Sequence, residues 1–170
     1  NTARGFAYGL NAGSYGATTT ESGTFSTGAY TGSLSGLTCN TTYHVRAFST
    51  NSAGTSSGSD ISFTTSACAP TITTDAVSSL TKTTATLNGS ITATGGADAT
   101  ESGFAYGTSA TLATTIATTT LGAQTGTASF NSSVSSLTCN TTYYSRAYAT
   151  NSGGTGYGTI VSFTTSPCTP

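Results

Sequence analysis

The chain contains two copies of one sequence unit, and this repeat limits the folds that it can adopt. Residues 35–70 and 135–170 are identical at 23 of 36 positions, at an offset of 100. The pentapeptide Gly-Phe-Ala-Tyr-Gly at 5–9 returns at 103–107, at an offset of 98. A unit of roughly 100 residues is therefore repeated. The copies differ by two residues in length, and we expect this change in a loop near Asn11 or Thr111.

The two copies are unequally represented in the sequence. The second runs through residues 69–170, whereas the first, at 1–68, lacks the part that residues 71–99 supply to the second. Cys68-Ala69-Pro70 and Cys168-Thr169-Pro170 stand at equivalent places, and after the first of them another repeat follows at once. We therefore expect a partial domain at 1–68, a complete domain at 69–170, and a chain that is a window on a longer array.

Composition favours β-strands and excludes several kinds of partner. Only 5% of the residues are charged and the net charge is −1, so no electrostatic attraction to nucleic acid or to an anionic membrane is expected. Threonine, serine and glycine, which are poor in helix interiors, replace the usual helix formers. No apolar run approaches the ~18 residues that a membrane span needs.

Polar and apolar residues alternate along short segments, as they do in half-buried strands. One such segment places four small or apolar residues on one face: Ala85, Leu87, Gly89 and Ile91. Phe130 and Val134 share a face in the second copy, and Tyr30 and Leu34 take their places in the first. With about seven such strands per repeat and no helix, the pattern predicts an all-β, seven-stranded Greek-key β-sandwich. The first sandwich should be incomplete at its N-terminus.

Residues 37–47 and 137–147 resemble the corner before strand F of fibronectin type III domains, where the family has Leu-x-Pro-x-Thr-x-Tyr followed by alternating apolar residues. The matching residues are Leu37 and Tyr43, and Leu137 and Tyr143. The chain is most similar to the threonine-rich repeats of large bacterial surface and secreted proteins. The resemblance implies an immunoglobulin-like sandwich in which each tyrosine hydroxyl bonds the corner backbone. It implies no particular chemistry.

The corner proline of the family is a cysteine in both copies, Cys39 and Cys139, and a second cysteine follows the last strand, at Cys68 and Cys168. In the family these two places lie at the same end of the sandwich. The resemblance therefore implies the disulfides Cys39–Cys68 and Cys139–Cys168. The alternatives are free thiols or a four-cysteine zinc site, although close Cys-x-x-Cys spacing is missing. Persistent disulfides would place the protein outside the cell or on its surface.

No residues combine into a predicted active site. His44 is the sole histidine, and Tyr144 occupies its place in the second copy, so we expect a surface histidine. No serine or cysteine nucleophile is matched with a base and an acid that both repeat. Five scattered carboxylates do not suggest the six to eight oxygen ligands of a calcium site. We expect no catalytic residue, no metal and no cofactor.

One aromatic and basic stripe does repeat on the expected outward face of strand F. It consists of Arg46 and Phe48 in the first copy and of Tyr144, Arg146 and Tyr148 in the second. Such a stripe can bind sugars or a partner chain. The competing interpretation is an arginine stacked on its neighbours across a sheet.

The first copy would also expose the core faces of Phe6, Tyr8 and Tyr30, because its first two strands are missing. A preceding segment or a strand from another subunit must cover them, and we favour the preceding segment.

The repeat, the cysteines and the missing chemistry predict a non-enzymatic structural module of an extracellular rod, stalk, adhesin shaft or filament. The alternative is a spacer or carbohydrate-binding module of a secreted multidomain enzyme. Expected partners are neighbouring repeats, further copies in a filament and glycans, but neither nucleic acid nor the membrane interior.

Overall fold

The structure is a computed structural model that describes residues 1–114 and 117–168. Thr169 and Pro170, which end the second repeat, lie outside the described residues. The chain divides into two compact units, Asn1–Ser66 and Ala67–Pro170. Every regular element of the described ranges is a β-strand. In these ranges we find no helix that is long and apolar enough to cross a membrane.

The first unit is one antiparallel sheet. Its strands are β1 (Ala3–Gly9), β2 (Ala17–Ser22), β3 (Thr42–Asn51), β4 (Gly54–Ser57) and β5 (Ile61–Thr64). The order is β2-β1-β3-β4, and β5 pairs with the other half of β3. β4 and β5 thus act as one interrupted strand along a single neighbour.

The second unit has two sheets. Its strands are β6 (Thr71–Ser78), β7 (Ala85–Ala93), β8 (Glu101–Gly107), β9 (Ala117–Thr120), β10 (Ser129–Val134), β11 (Thr142–Asn151), β12 (Gly154–Tyr157) and β13 (Val161–Thr164). One sheet has the order β10-β7-β6, and the other has the order β12-β11-β8-β9 with β13 also on β11. Counting β12 and β13 as one interrupted strand gives the predicted seven-stranded, all-β sandwich.

The two-residue length difference lies in the loop after the first strand that both units share. Phe6 pairs with Thr19, and Phe104 pairs with Thr119. The first residues of these pairs are offset by 98 and the second by 100, so the extra residues fall between β8 and β9. This is the loop near Thr111 in which the sequence predicted them. Its shorter counterpart in the first unit is loop 10–16.

The core of the second unit lies between its sheets. Inward side chains of β11 alternate strictly with half-buried outward ones. Leu87 of β7 and Phe104 of β8 are both fully buried, and the Phe104 and Phe130 rings pack at 5.2 Å between centroids. Burying a side chain of this size stabilises the fold by about 1.5–3 kcal/mol. The alternation along β11 therefore determines which face of the sheet meets the core.

One predicted strand is absent from the first unit. Residues 29–34, which contain Tyr30 and Leu34, form no strand, whereas the equivalent β10 does. β10 forms a strand because it pairs with β7, and the first unit contains no counterpart of β7. A strand needs a hydrogen-bonded neighbour, so the same alternating sequence stays irregular here. The Phe6–Tyr30 ring contact nevertheless keeps a 5.3 Å centroid distance, close to that of Phe104 and Phe130.

Both repeats form the same corner before their longest strand. The Thr38 N–H donates a hydrogen bond to the Tyr43 hydroxyl at 3.1 Å, and the Thr138 N–H donates one to Tyr143 at 3.0 Å. The bond lowers the pKa of Tyr43 below its ordinary value, because the N–H stabilises the phenolate. Next to the corner, Leu137 is buried and Leu37 is half-buried.

The corner turn itself uses an asparagine in the left-handed backbone region. Asn40 and Asn140 have φ of 46° and 48°. Asparagine adopts this region more readily than most residues, so the side chain at this position serves the turn in both repeats.

A disulfide joins the corner of the second unit to the end of its last strand. Cys139 and Cys168 are bonded, with a Cα–Cα separation of 5.3 Å. In the chain-entropy treatment, closing a loop of about 30 residues stabilises a domain by about 3–4 kcal/mol. Cys39 and Cys68 are disulfide-bonded as well, so no described cysteine is free. That these two pair with each other stays a prediction.

Candidate functional site

The predicted stripe lies on the outward face of β3 and β11. Tyr144, Arg146 and Tyr148 are half-buried on the side of β11 away from the core. Arg46 and Phe48 hold the equivalent positions on β3 and are also half-buried. The strand alternation therefore brings each arginine to the middle of a long strand, with an aromatic side chain two residues away.

Arg146 lies against the ring of Tyr157, which its partner strand β12 supplies. The guanidinium carbon is 4.2 Å from the ring centroid, and Tyr148 packs on the same ring at 6.4 Å. The Tyr148 hydroxyl donates a hydrogen bond to the Glu101 carboxylate at 3.0 Å. Burial, with the nearby Glu101 charge, raises the pKa of Tyr148 above its ordinary value. The face thus combines a stacked cation with two adjoining tyrosines.

Arg46 has an aromatic neighbour too, but it comes from a different element. Position 57 is a serine in the first repeat, and the Arg46 guanidinium lies instead over Tyr15 of loop 10–16, at 4.5 Å. In both repeats the arginine Nε is buried without a hydrogen-bond partner in the part of the chain that the structure describes. Stacking on a ring therefore holds each arginine in place. The arginine–tyrosine contact therefore occurs in both repeats, although the tyrosine comes from loop 10–16 in the first repeat and from β12 in the second.

A polar cluster beside Arg46 was not found from the sequence. The Asp60 carboxylate accepts hydrogen bonds from the Tyr15 hydroxyl at 2.5 Å and from His44 Nδ1 at 2.7 Å. The Tyr15 bond, followed by that of His44, holds the pKa of Asp60 below its usual range. The Asp60 carboxylate in turn raises the pKa of Tyr15. These residues come from three separate elements, so spacing along the chain carries no signal for them.

The cluster pairs an imidazole with a carboxylate, which are two of the three members of a nucleophilic triad. Ser62 lies opposite His44 in the β3–β5 ladder. No hydrogen bond joins that serine to the imidazole within the described ranges, and the second repeat has Tyr144 and Ile160 in place of His44 and Asp60. The arrangement therefore pins loop 10–16 to the sheet edge. Among the described residues, no group of three or more His, Cys, Asp or Glu side chains could hold a metal ion.

Comparison with known proteins defines the fold. No family model and no curated protein matches the chain. Domains d3–d4 of the rat CD45 extracellular region match it with a TM-score of 0.58 and 15% identity, over 85% of this chain and 75% of that chain. The FN1–FN3 domains of chicken CNTN1 match at 0.47 and 17%, over 98% and 57%. The RsgI4 sensor domain of Pseudobacteroides cellulosolvens matches at 0.47 and 14%, over 58% and 96%.

The fold of the second unit is therefore a fibronectin type III-like or immunoglobulin-like sandwich, and the first unit forms the equivalent of one of its two sheets. At these identities the similarity defines the fold alone, because one sandwich hosts many unrelated functions.

Proposed function

We propose that the chain is a non-catalytic structural module of an extracellular rod, stalk, adhesin shaft or filament. Its contribution is length together with resistance to force and to proteolysis. The observation that carries the proposal is the kind of contact that the two repeats share.

The shared contacts all stabilise the scaffold. The Thr65 hydroxyl donates to the Thr38 carbonyl at 2.6 Å, and the Thr165 hydroxyl donates to the Thr138 carbonyl at 2.7 Å. The tyrosine corner, the cysteines and the ring-stacked arginine also occur in both. By contrast, the Asp60 cluster, the group with the most chemical potential, occurs in only one. Both repeats therefore retain the contacts that stabilise the fold, and stability of each unit is what a repeating rod requires.

An extracellular location is part of the proposal. Disulfides persist in oxidising surroundings outside the cytosol, and all four cysteines of the chain are disulfide-bonded. With charged residues at 5% of the chain, covalent bonds supply stability that surface ion pairs do not.

Electron microscopy of arrays with increasing repeat number tests the structural role. Strands of ten residues rise about 3.3 Å per residue, so each added copy of residues 69–168 should lengthen the particle by roughly 3–4 nm. The matched control has the same repeats joined by long glycine–serine linkers and should give beads of variable spacing. Particles that grow as compact globules would contradict the rod.

The alternative, a carbohydrate-binding spacer of a secreted enzyme, has one supporting observation. Tyr157 is 54% exposed although its ring stacks on Arg146. Exposed tyrosine rings are platforms for the apolar faces of sugars. A glycan array with the native chain and Tyr157→Ala tests this function, with Ile160→Ala, exposed in the connection between β12 and β13, as the control. Signal that Tyr157→Ala removes and Ile160→Ala keeps would favour it, and no signal would eliminate it.

A further inference from the structure

The outward face of the second unit carries a cation without an acidic partner. Within the described ranges, the Arg146 guanidinium makes no hydrogen bond and no ion pair, although it stacks on the ring of Tyr157. A guanidinium has five N–H donors and no acceptor, and it binds a carboxylate through two parallel hydrogen bonds. Arg146 therefore has the full donor capacity that recognition of an anion requires.

In the first repeat a carboxylate of the chain itself stands at the equivalent place. Asp60 comes directly before β5 and lies opposite Arg46 in the register of the β3–β5 ladder. Tyr15, the ring on which Arg46 stacks, donates a hydrogen bond to that carboxylate. The hydrogen bonds of Tyr15 and His44 lower the pKa of Asp60 most, and the charge of Arg46 lowers it further. The arginine of the first repeat is thus accompanied by both a ring and an anion.

The second repeat keeps the ring and leaves out the anion. Position 160, opposite Arg146 in the register of the β11–β13 ladder, is an exposed isoleucine. Loop 108–116, the counterpart of loop 10–16, contains neither a carboxylate nor an aromatic residue. Tyr157 supplies the ring instead and is 54% exposed, so part of its surface is open to a ligand. An external anion would therefore complete at Arg146 what Asp60 completes in the first repeat.

The sheet surface next to Arg146 is low and uncharged. On β8 the residues opposite Arg146 and Tyr144 are Ala105 and Gly107, so no long side chain stands on that side of the arginine. One strand further, Thr118 of β9 is opposite Ala105 and is exposed. An extended ligand can therefore lie across the strands, with a threonine hydroxyl available as donor or acceptor.

One carboxylate does lie on this face, at its far end. Glu101 is opposite Thr150 in the β8–β11 ladder, which is four residues along β11 from Arg146, or about 13 Å of strand. The Tyr148 hydroxyl already donates to it. Because the Debye length at physiological salt is about 8 Å, Glu101 leaves an anion at Arg146 largely unaffected.

We propose that the outward face of the second unit binds an acidic polysaccharide, with the carboxylate of one uronic acid residue on Arg146 and a neighbouring sugar ring on the exposed side of Tyr157. Such a chain carries both a carboxylate for the guanidinium and apolar ring faces for the tyrosine. The proposal rests on the glycan-binding alternative above and names its ligand class, and it is independent of the rod.

Titration of the intact chain with uronate oligomers, followed through amide shifts in NMR spectra, tests the proposal. The probes are hexamers of galacturonic, glucuronic and mannuronic acid, each compared with its methyl ester, which keeps the ring and removes the charge. We expect at least one acid to bind and to shift amides of β11 and β12 but not those of β3. Its methyl ester should bind roughly tenfold more weakly or worse, and added salt should weaken binding of the acid.

Variants of the chain separate the charge from the ring. Arg146→Gln should lower the affinity roughly tenfold or more, whereas Lys82→Gln, which removes a charge from the turn between β6 and β7, should not change it. Tyr157→Ser introduces the residue of the first repeat and should also weaken binding. Ile160→Asp places a carboxylate beside Arg146 and should abolish binding, while Ile160→Asn, of nearly the same size, should keep it. Because Ile160 is exposed, this last pair is expected to fold normally.

Three outcomes would overturn the proposal. The first is binding of a methyl ester as tight as that of its acid, which would leave glycan binding in place and remove the anionic ligand. The second is no binding of any acid or ester, which would remove the acidic ligand and count against glycan binding as well. The third is hexaglutamate binding as tightly as the uronates and unaffected by Tyr157→Ser, which would make an acidic peptide the ligand.

Discussion

The Tyr143 hydroxyl accepts a hydrogen bond from the Thr138 backbone N–H, and the Tyr143 ring stacks on Phe163 at 5.7 Å. One side chain thus ties the corner of the second unit to its last strand. The first repeat contains the same pair, with Tyr43 stacked on Phe63 at 6.0 Å.

Replacing Tyr143 with phenylalanine should therefore destabilise the second unit. The ring contacts remain, but the partly buried Thr138 N–H loses its acceptor, which costs about 1–3 kcal/mol. Urea unfolding monitored by amide exchange in β11 measures the change. Tyr144→Phe, on the outward face of the same strand, is the control and should change stability by less than about 0.5 kcal/mol. Equal effects of the two substitutions would mean that the corner bond is not the source of stability.

Gly89→Ala should also destabilise the second unit. The added methyl group would lie within 2.7 Å of Ala147 and 3.3 Å of Phe104, both fully buried in the core. Overpacking of this kind costs about 1–3 kcal/mol. Gly16→Ala makes no contact within 4 Å and is the matched control. A thermal midpoint for Gly89→Ala equal to that of Gly16→Ala would show that the sheets can separate to admit a methyl group.

Trypsin can establish the disulfide pairing in one digest. Cleavage after Arg4, Arg46, Lys82 and Arg146 places every cysteine on its own peptide. We expect non-reducing mass spectrometry of the acid-denatured, alkylated protein to find residues 5–46 linked to 47–82, and 83–146 linked to 147–170. The peptide 5–46 linked to 83–146 would contradict the pairing of Cys39 with Cys68.

The first unit should lose stability in acid through Asp60. Its pKa is depressed in the folded state, so its contribution is present above the unfolded value of about 3.9 and is lost as pH falls through the folded value. The urea concentration at the unfolding midpoint, followed through the amides of β1 and β3, should therefore decrease as the pH is lowered from about 5 to about 2. Asp60→Asn should lower the midpoint at the upper pH and flatten this dependence. An unchanged slope in the variant would assign the acid sensitivity to other groups.

Much of the fold could be predicted because its signals are local or repeated. Alternation along residues 143–149 predicts the buried face of β11, and the paired offsets of 98 and 100 place the longer loop. The absent strand at Tyr30 and Leu34 was beyond such reasoning, because alternation describes a face and says nothing about whether a hydrogen-bonding neighbour exists.

The candidate site was predictable only in part for the same reason. Arg46 and Arg146 were identified because they repeat at a fixed offset. The rings that hold them, Tyr15 and Tyr157, do not repeat, and neither does Asp60. Only the fold brings together side chains that lie on separate loops and strands.

The scarcity of basic residues limits the number of sites at which trypsin-like proteases can cleave the chain. Arg4, Arg46 and Arg146 all lie within strands, and each guanidinium lies over a tyrosine ring. Trypsin-like enzymes need a cleavage segment in an extended, detached conformation, which leaves the turn at Lys82 as the accessible scissile position. For as long as the sheets stay closed, cleavage by trypsin-like enzymes should therefore be confined to that one turn.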